Sequence, residues 1–198
     1  RSISCHLGSG GSSVCAVQNG RSINSSMGFT PLEGLLMNTR SGDIDMGLLF
    51  QVMFAHKFTP DSAEEMLNKK SGVLGVYKSS SDLRDVIHQS AADDIVFQMY
   101  VKRVRKYICY YALLLKKADL LIFTDTLGLE LSLLRREICR DMESLGIVID
   151  PQKNDAYSGG IARMESDMSE TAILAVPTDE EGMIASSAYR RMGYDRDC

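Results

Sequence analysis

The sequence predicts an α/β domain with a mixed sheet flanked by helices, on three observations. An early glycine-rich stretch runs into a hairpin, a strand–turn–helix unit lies in the middle, and apolar strands alternate with helices to the end. The 198 residues, 44% hydrophobic and 24% charged, suffice for one globular domain with a real core. No internal repeat or low-complexity linker divides them.

Ile3-Ser4-Cys5-His6 is a short extended stretch leading into Gly8-Ser9-Gly10-Gly11-Ser12-Ser13, a tight loop that exposes backbone. The next segments, 14–18 and 21–24, flank Asn19-Gly20, a strong hairpin signal because both turn residues tolerate positive φ. Pro31 suits a first helical turn, so Leu32 to Met37 reads as helical, followed by a turn-rich 38–43 and an apolar helix over about 45–55. Thr59-Pro60-Asp61 opens an amphipathic helix ending near Lys70. Ser79-Ser80-Ser81-Asp82 is rich in capping residues, and the helix after it turns Leu83, Val86 and Ile87 inward.

Phe97, Val101, Val104, Ile108, Tyr111 and Leu115 repeat at helical spacing and make one buried stripe. Lys102, Arg103, Arg105 and Lys106 fall largely off it, as a solvated face does. The run 120–124 suits a buried strand, and Asp125-Thr126-Leu127-Gly128 turns into a helix over about 131–144. Two more strands are predicted at 147–149 and 172–176, and Pro177-Thr178-Asp179-Glu180 opens a last helix through Met183, Ile184 and Ala188.

A formal net charge of -4 and a pI near 5.4 give no long-range attraction for nucleic acid or an anionic membrane. Any bound polyanion must be held locally. The five cysteines are widely spaced without a C-x-x-C pair, which points to reduced thiols in a cytoplasmic protein. No apolar run approaches the ~20 residues of a membrane helix, and no secretory leader is evident. The start at Arg1, without methionine, looks like a cut.

Three loops offer what a polyphosphate needs, namely backbone N–H groups free of side-chain bulk beside a helix start: 8–13, 79–84 and 124–128. Each alone is weak, since a glycine-rich turn is most often only a turn. Their wording is more specific. Ser4-Cys5-His6-Leu7-Gly8-Ser9-Gly10, followed by Ser26-Met27-Gly28-Phe29-Thr30-Pro31-Leu32-Glu33-Gly34-Leu35, resembles the acetate and propionate kinase family. Asn38-Thr39-Arg40-Ser41-Gly42-Asp43-Ile44-Asp45, Ser80-Ser81-Asp82-Leu83-Arg84-Asp85, Leu145-Gly146-Ile147 and Pro177-Thr178-Asp179-Glu180-Glu181 continue the match in family order.

The resemblance implies the fold shared with sugar kinases, actin and heat-shock chaperones: two ribonuclease-H-like domains with nucleotide in the cleft between them. Residues 1–198 are expected to be mainly the second domain, without the first. The implied activity is reversible transfer of the terminal phosphoryl group of ATP, with Mg2+, to acetate or another short-chain carboxylate, giving an acyl phosphate and ADP. By the same resemblance His6, Leu7, Gly8, Ser9 and Gly10 form the first phosphate loop. Asp82, Leu83 and Arg84 lie beside the nucleoside, and Thr126, Leu127, Gly128, Leu129 and Glu130 occupy the third nucleotide loop.

Arg40 matches the family's active-site arginine, where a planar, permanently charged fork bridges carboxylate and phosphoryl oxygens. Its plain alternative is a salt bridge with Asp43 or Asp45. Glu180 matches the glutamate that helps hold magnesium, although acidic residues at a helix start also oppose the macrodipole. His6 reads as a structural hydrogen-bonding residue, with no carboxylate near it in sequence.

The chain departs from the family where members carry Gly-Gly-Ile-Gly-Glu-Asn, having Asp125-Thr126-Leu127-Gly128-Leu129-Glu130 instead. Side chains and a negative charge thus enter a region expected to face polyphosphate. Two alternatives follow, a pyrophosphate-using kinase and a non-catalytic domain that kept the fold. His56 and His88 do not replace the first domain's catalytic histidine, so the isolated chain is expected to phosphorylate no appreciable acetate. The resemblance leaves a homodimer open, with Tyr107, Cys109, Tyr110 and Tyr111 as added surface.

Overall fold

The computed structural model describes residues 1–90 and 94–192. Strands β1 (Ser2–Leu7), β2 (Ser12–Gln18) and β3 (Arg21–Ser25) form an antiparallel meander. The β2–β3 turn takes φ of 52° at Asn19 and 74° at Gly20, the two positive values that let a two-residue turn follow the strand twist. β4 (Leu120–Thr124) then pairs parallel to β1, β6 (Ala172–Ala175) parallel to β4, and the short β5 (Ala162–Arg163) antiparallel to β6. The mixed sheet therefore runs β3-β2-β1-β4-β6-β5.

Alternation along the strands divides the two faces. Ile3, Cys5, Leu7, Val14, Ala16, Leu121, Phe123, Ile173 and Ala175 are fully buried on one side, whereas Ser2, Ser4, His6, Ile122 and Leu174 are half-buried on the other.

The helices are α1 (Met46–His56), α2 (Pro60–Lys69), α3 (Gly72–Tyr77), α4 (Leu83–Ser90) and α5 (Ile95–Leu114), then α6 (Asp125–Glu130), α7 (Ser132–Cys139), α8 (Pro151–Asp155) and α9 (Glu180–Arg191). Several of their starts are capped by side chains. Asp45, Thr59, Asp94, Asp150 and Asp179 each accept a backbone N–H two or three residues on. α5 lies against β1 and β2 and gathers α3, α4 and α7 around it. All six residues of its predicted stripe are buried.

Several expected elements differ. The stretch 32–37 is irregular, buried only over 34–37, because Gly34 has φ +105° and a side chain there would meet the Ser26 carbonyl at 2.4 Å. The 147–149 strand reduces to one bridge, Ile149 with Glu165, since Val148 N–H donates to Ser169 Oγ instead of a neighbouring strand. α7 stops at Cys139, where Arg140 turns extended, and a 3-10 turn at Glu143–Leu145 follows. α3 and α8 are too short for their periodicity to register. Cys5, Cys15, Cys109 and Cys139 are free thiols, and Cys198 lies outside the described residues. Among the described residues no helix is long and apolar enough to cross a membrane.

α1 and α9 bury none of their residues. Phe54 is 84% exposed on α1, and Met183 and Ile184 stand open on α9, so the apolar face expected of the last helix is left uncovered here.

Arg135 of α7 is 1% exposed. Its guanidinium donates to the carbonyls of Gly128 (2.9 Å), Leu129 (2.6 Å) and Asn154 (3.0 Å) and to Asn154 Oδ1 (2.7 Å), and it stacks over Tyr157. Carbonyls at the end of α6 are thereby satisfied by a side chain from α7. Burial pushes its pKa down. Arg135→Met strands these buried acceptors and should lower unfolding free energy by about 3 kcal/mol. Urea denaturation checks this, and Arg135→Lys should not rescue it, because an ammonium cannot span the same acceptors.

Candidate phosphate-transfer site

Parallel pairing sets His6 opposite Thr124, so the loops following β1 and β4 emerge side by side at the carboxyl ends of these strands, the usual ligand position of such sheets. The first loop closes on itself through Gly8 N–H to the Gly11 carbonyl (3.0 Å), and Ser12 Oγ donates to the Gly8 carbonyl (3.2 Å). Ser12 Oγ also pairs with the buried Tyr100 hydroxyl at 2.8 Å. Across the gap Ser9 N–H donates to Thr126 Oγ1 at 3.1 Å. Gly10 is exposed with open space where a side chain would sit.

Asp125 occupies this gap. Its φ is +64°, its Oδ1 accepts Thr126 N–H at 2.6 Å, and its Oδ2 lies 3.1 Å from His6 Nε2. A Cβ on Gly8 would fall 2.1 Å from the same Oδ2 and 2.8 Å from the Gly11 carbonyl oxygen, and the backbone contact is what requires glycine there. His6 thus has a carboxylate partner, one that comes from the neighbouring strand's end and is distant in sequence. Next to it, Thr124 Oγ1 is the buried side-chain oxygen left without a partner among the described residues.

Arg40 is half-buried, and its guanidinium meets Met37 Sδ at 3.7 Å and the space beside Gly11, where a Cβ would stand 3.6 Å from Nη1. The alternative of a salt bridge to Asp43 or Asp45 fails. Asp43 instead binds Lys106 Nζ (2.8 Å), Tyr107 Oη (3.0 Å to each oxygen) and Gly34 N–H (2.9 Å), and Asp45 caps α1. Arg103 adds bonds to the Gly34 and Asp43 carbonyls. Asp43 thus locks the loop from the α5 side and leaves Arg40 without a carboxylate among the described residues. Gly10, Thr39 and Arg40 line an open cleft of about 900 Å³ with Asp61, Glu64 and Lys69.

The second and third predicted loops also meet. Arg84 grips Asp82 through two nitrogens (Nε 3.1 Å, Nη2 2.7 Å) and reaches Glu130 at 3.1 Å, while Asp82 Oδ1 accepts the Arg84 amide at 2.9 Å. The Arg84 guanidinium holds the Asp82 carboxyl below its usual range. Thr126, Leu129 and Glu130 line a recess of about 550 Å³ with Asp125, Tyr157 and Thr178. The third loop is a helical turn, α6, rather than an open loop. Leu7, Leu83 and Leu127 are core side chains, exposed by at most 1%, so at these three positions only backbone is left to face a ligand.

Glu180, in the first turn of α9, lines a recess of about 460 Å³ with His6, Asp125, Thr178, Asp179 and Glu181. Asp179 is committed to the Gly182 amide at 3.0 Å. Among the described residues no three His, Cys, Asp or Glu side chains converge as a metal cage. Asp125, Thr124, Tyr157 and Thr178 join the site from outside the predicted set. For Asp125 the signal was its charge inside a glycine-type loop; for the others proximity alone reveals the role.

The model of the acetokinase family matches residues 1–186. The acetate kinase of Bacteroides fragilis is 43% identical over 188 residues, covering 93% of this chain and 47% of that protein. The crystal structure of Porphyromonas gingivalis acetate kinase superposes with a TM-score of 0.89 at 40% identity, over 94% of this chain and 48% of the other. A propionate kinase from Francisella tularensis gives 0.85 at 36% identity, over 93% and 47%. The chain spans about half the length of the relatives it matches.

Asp43 should make its loop acid-sensitive. Burial would push its carboxyl up, but hydrogen bonds from Lys106, Tyr107 and the Gly34 amide outweigh that and hold it low. A folded pKa below the unfolded one gives stability that is complete above about pH 4 and is lost as pH falls through the folded value. Asp43→Asn should reduce stability at neutral pH and flatten its decline between about pH 5 and 2, as followed by circular dichroism melts at stepped pH.

Proposed function

The chain belongs to the acetokinase family, and from that premise we propose that it is the nucleotide-side domain, residues 1–198, of a two-domain kinase acting on acetate or a similar short-chain carboxylate. The observation that carries the proposal is Arg40, a cation without a carboxylate partner among the described residues, beside the first glycine loop. A fork of fixed charge standing free next to exposed backbone suits a transferring phosphoryl group.

In the proposed reaction an acceptor carboxylate oxygen attacks the terminal phosphorus of ATP. The bond to the bridging oxygen breaks, and its electron pair leaves with ADP. Charge spreads over the three equatorial oxygens, where Arg40 opposes it. Gly10 presents open backbone to the phosphates, and Arg84, ordered by Asp82 and Glu130, borders the nucleoside side. Glu180 and Thr178 suit Mg2+, which takes one or two carboxylates and fills its other positions with water and phosphate. When bound, the ion would neutralise phosphate charge.

Pyrophosphate as donor is the second reading, favoured by the third nucleotide loop, a helical turn with side chains in place of glycines beside a free Arg40. A homodimer is proposed through α1, whose Met46, Leu48, Phe50 and Phe54 are exposed. Of the surface first expected for it, Cys109 and Tyr110 are exposed, whereas Tyr111 is buried and Tyr107 is bound to Asp43.

In the whole protein that carries this chain, Arg40→Ala should cut acyl-phosphate formation by about 10²–10³-fold with little change in melting temperature. Hydroxamate trapping from acetate, Mg2+ and either ATP or pyrophosphate measures it. Equal rates for wild type and variant would sink the kinase reading and leave a non-catalytic domain. For assembly, Phe54→Asp should turn a dimer into a monomer in sedimentation equilibrium, and a monomeric wild type refutes the contact.

A further inference from the structure

We infer that Asp125 is a specificity-determining residue whose carboxylate acts as a resident anion in the phosphate loop pair and weakens the grip on polyphosphate donors. The inference rests on the kinase reading above for what the donor does, but its own basis is geometric. Between β1 and β4 the N–H groups that would face phosphate oxygens are already occupied by side chains. Thr126 N–H donates to Asp125 Oδ1 at 2.6 Å, and Ser9 N–H donates to Thr126 Oγ1 at 3.1 Å. The second carboxylate oxygen lies against the Gly8 backbone, within 2.1 Å of where a Cβ would stand, and 3.1 Å from His6 Nε2. A phosphate entering this space must displace a like charge and two internal acceptors.

The surroundings do not cancel that charge. The adjoining recess carries Asp179, Glu180 and Glu181 beside His6. Two like charges about 4 Å apart cost on the order of 1 kcal/mol in water and more where solvent is partly excluded, so a penalty of about tenfold in affinity is the expected scale. Backbone conformation gives no reason for aspartate here, because a φ of +64° is adopted more easily by glycine.

The test is calorimetric titration of the whole protein with ATP, and separately with pyrophosphate, at fixed free Mg2+. Asp125→Asn keeps the acceptor for Thr126 N–H and tolerates the left-handed backbone, removing charge alone; Asp125→Gly removes charge and acceptor and relaxes the backbone. Both variants should bind both donors about tenfold more tightly, with melting temperatures no lower than wild type. Unchanged or weaker binding of both donors overturns the inference, and so does tightening of ATP alone, which would place Asp125 against the nucleoside. If wild type shows Arg40-dependent turnover while both variants bind as wild type does, the kinase reading stands and this inference falls. If no variant transfers phosphate yet both bind both donors more tightly, the inference stands and the kinase reading falls.

Discussion

The parallel ladder between β1 and β4 is the constraint on which the site depends. With His6 opposite Thr124, two strands far apart in sequence end at the same height, and the loops after them must share one space. Antiparallel pairing here would send the second loop to the opposite end of the sheet. The ladder itself is held by the covered face, where Ile3, Cys5, Leu7, Leu121 and Phe123 pack under α5. A one-residue slip would exchange that apolar set for Ser2, Ser4 and His6, so burial of the core and placement of the loops are the same decision.

Two polar anchors then fix what the ladder brings together. Arg135 ties the end of α6 to α8 by filling carbonyls that a short helix leaves open. Asp43 ties the irregular 34–43 segment to α5 through Lys106, Tyr107 and the Gly34 amide. Both are buried or half-buried groups whose hydrogen bonds offset desolvation. Their effect on Arg40 is indirect. With the nearest carboxylate engaged elsewhere, the guanidinium stays available at the edge of the cleft.

The same chain leaves apolar surface on α1 and α9 and keeps one sheet face half-covered. Singly exposed apolar residues need no explanation, but a helix such as α1, with four large side chains open, does. In the proposed two-domain dimer these faces are contact surfaces, which is consistent with a chain about half as long as its relatives.

By itself the sequence determined the alternating strand and helix order, the Asn19-Gly20 hairpin, the α5 stripe, the starts of α1, α2, α4 and α9, and the family, because these depend on neighbours within a few residues or on ordered wording. Leu32 to Met37 misled local reading, since a glycine at positive φ and a close backbone contact overrode helix-like spacing. Tertiary structure alone decided which side chains serve the site. It sent Leu7, Leu83 and Leu127 into the core, freed Arg40 by giving Asp43 to Lys106 and Tyr107, and set Asp125 against His6 and Gly8. Each of these outcomes turns on partners some 60 to 120 residues away or on a face chosen by packing, and sequence spacing carries no record of either.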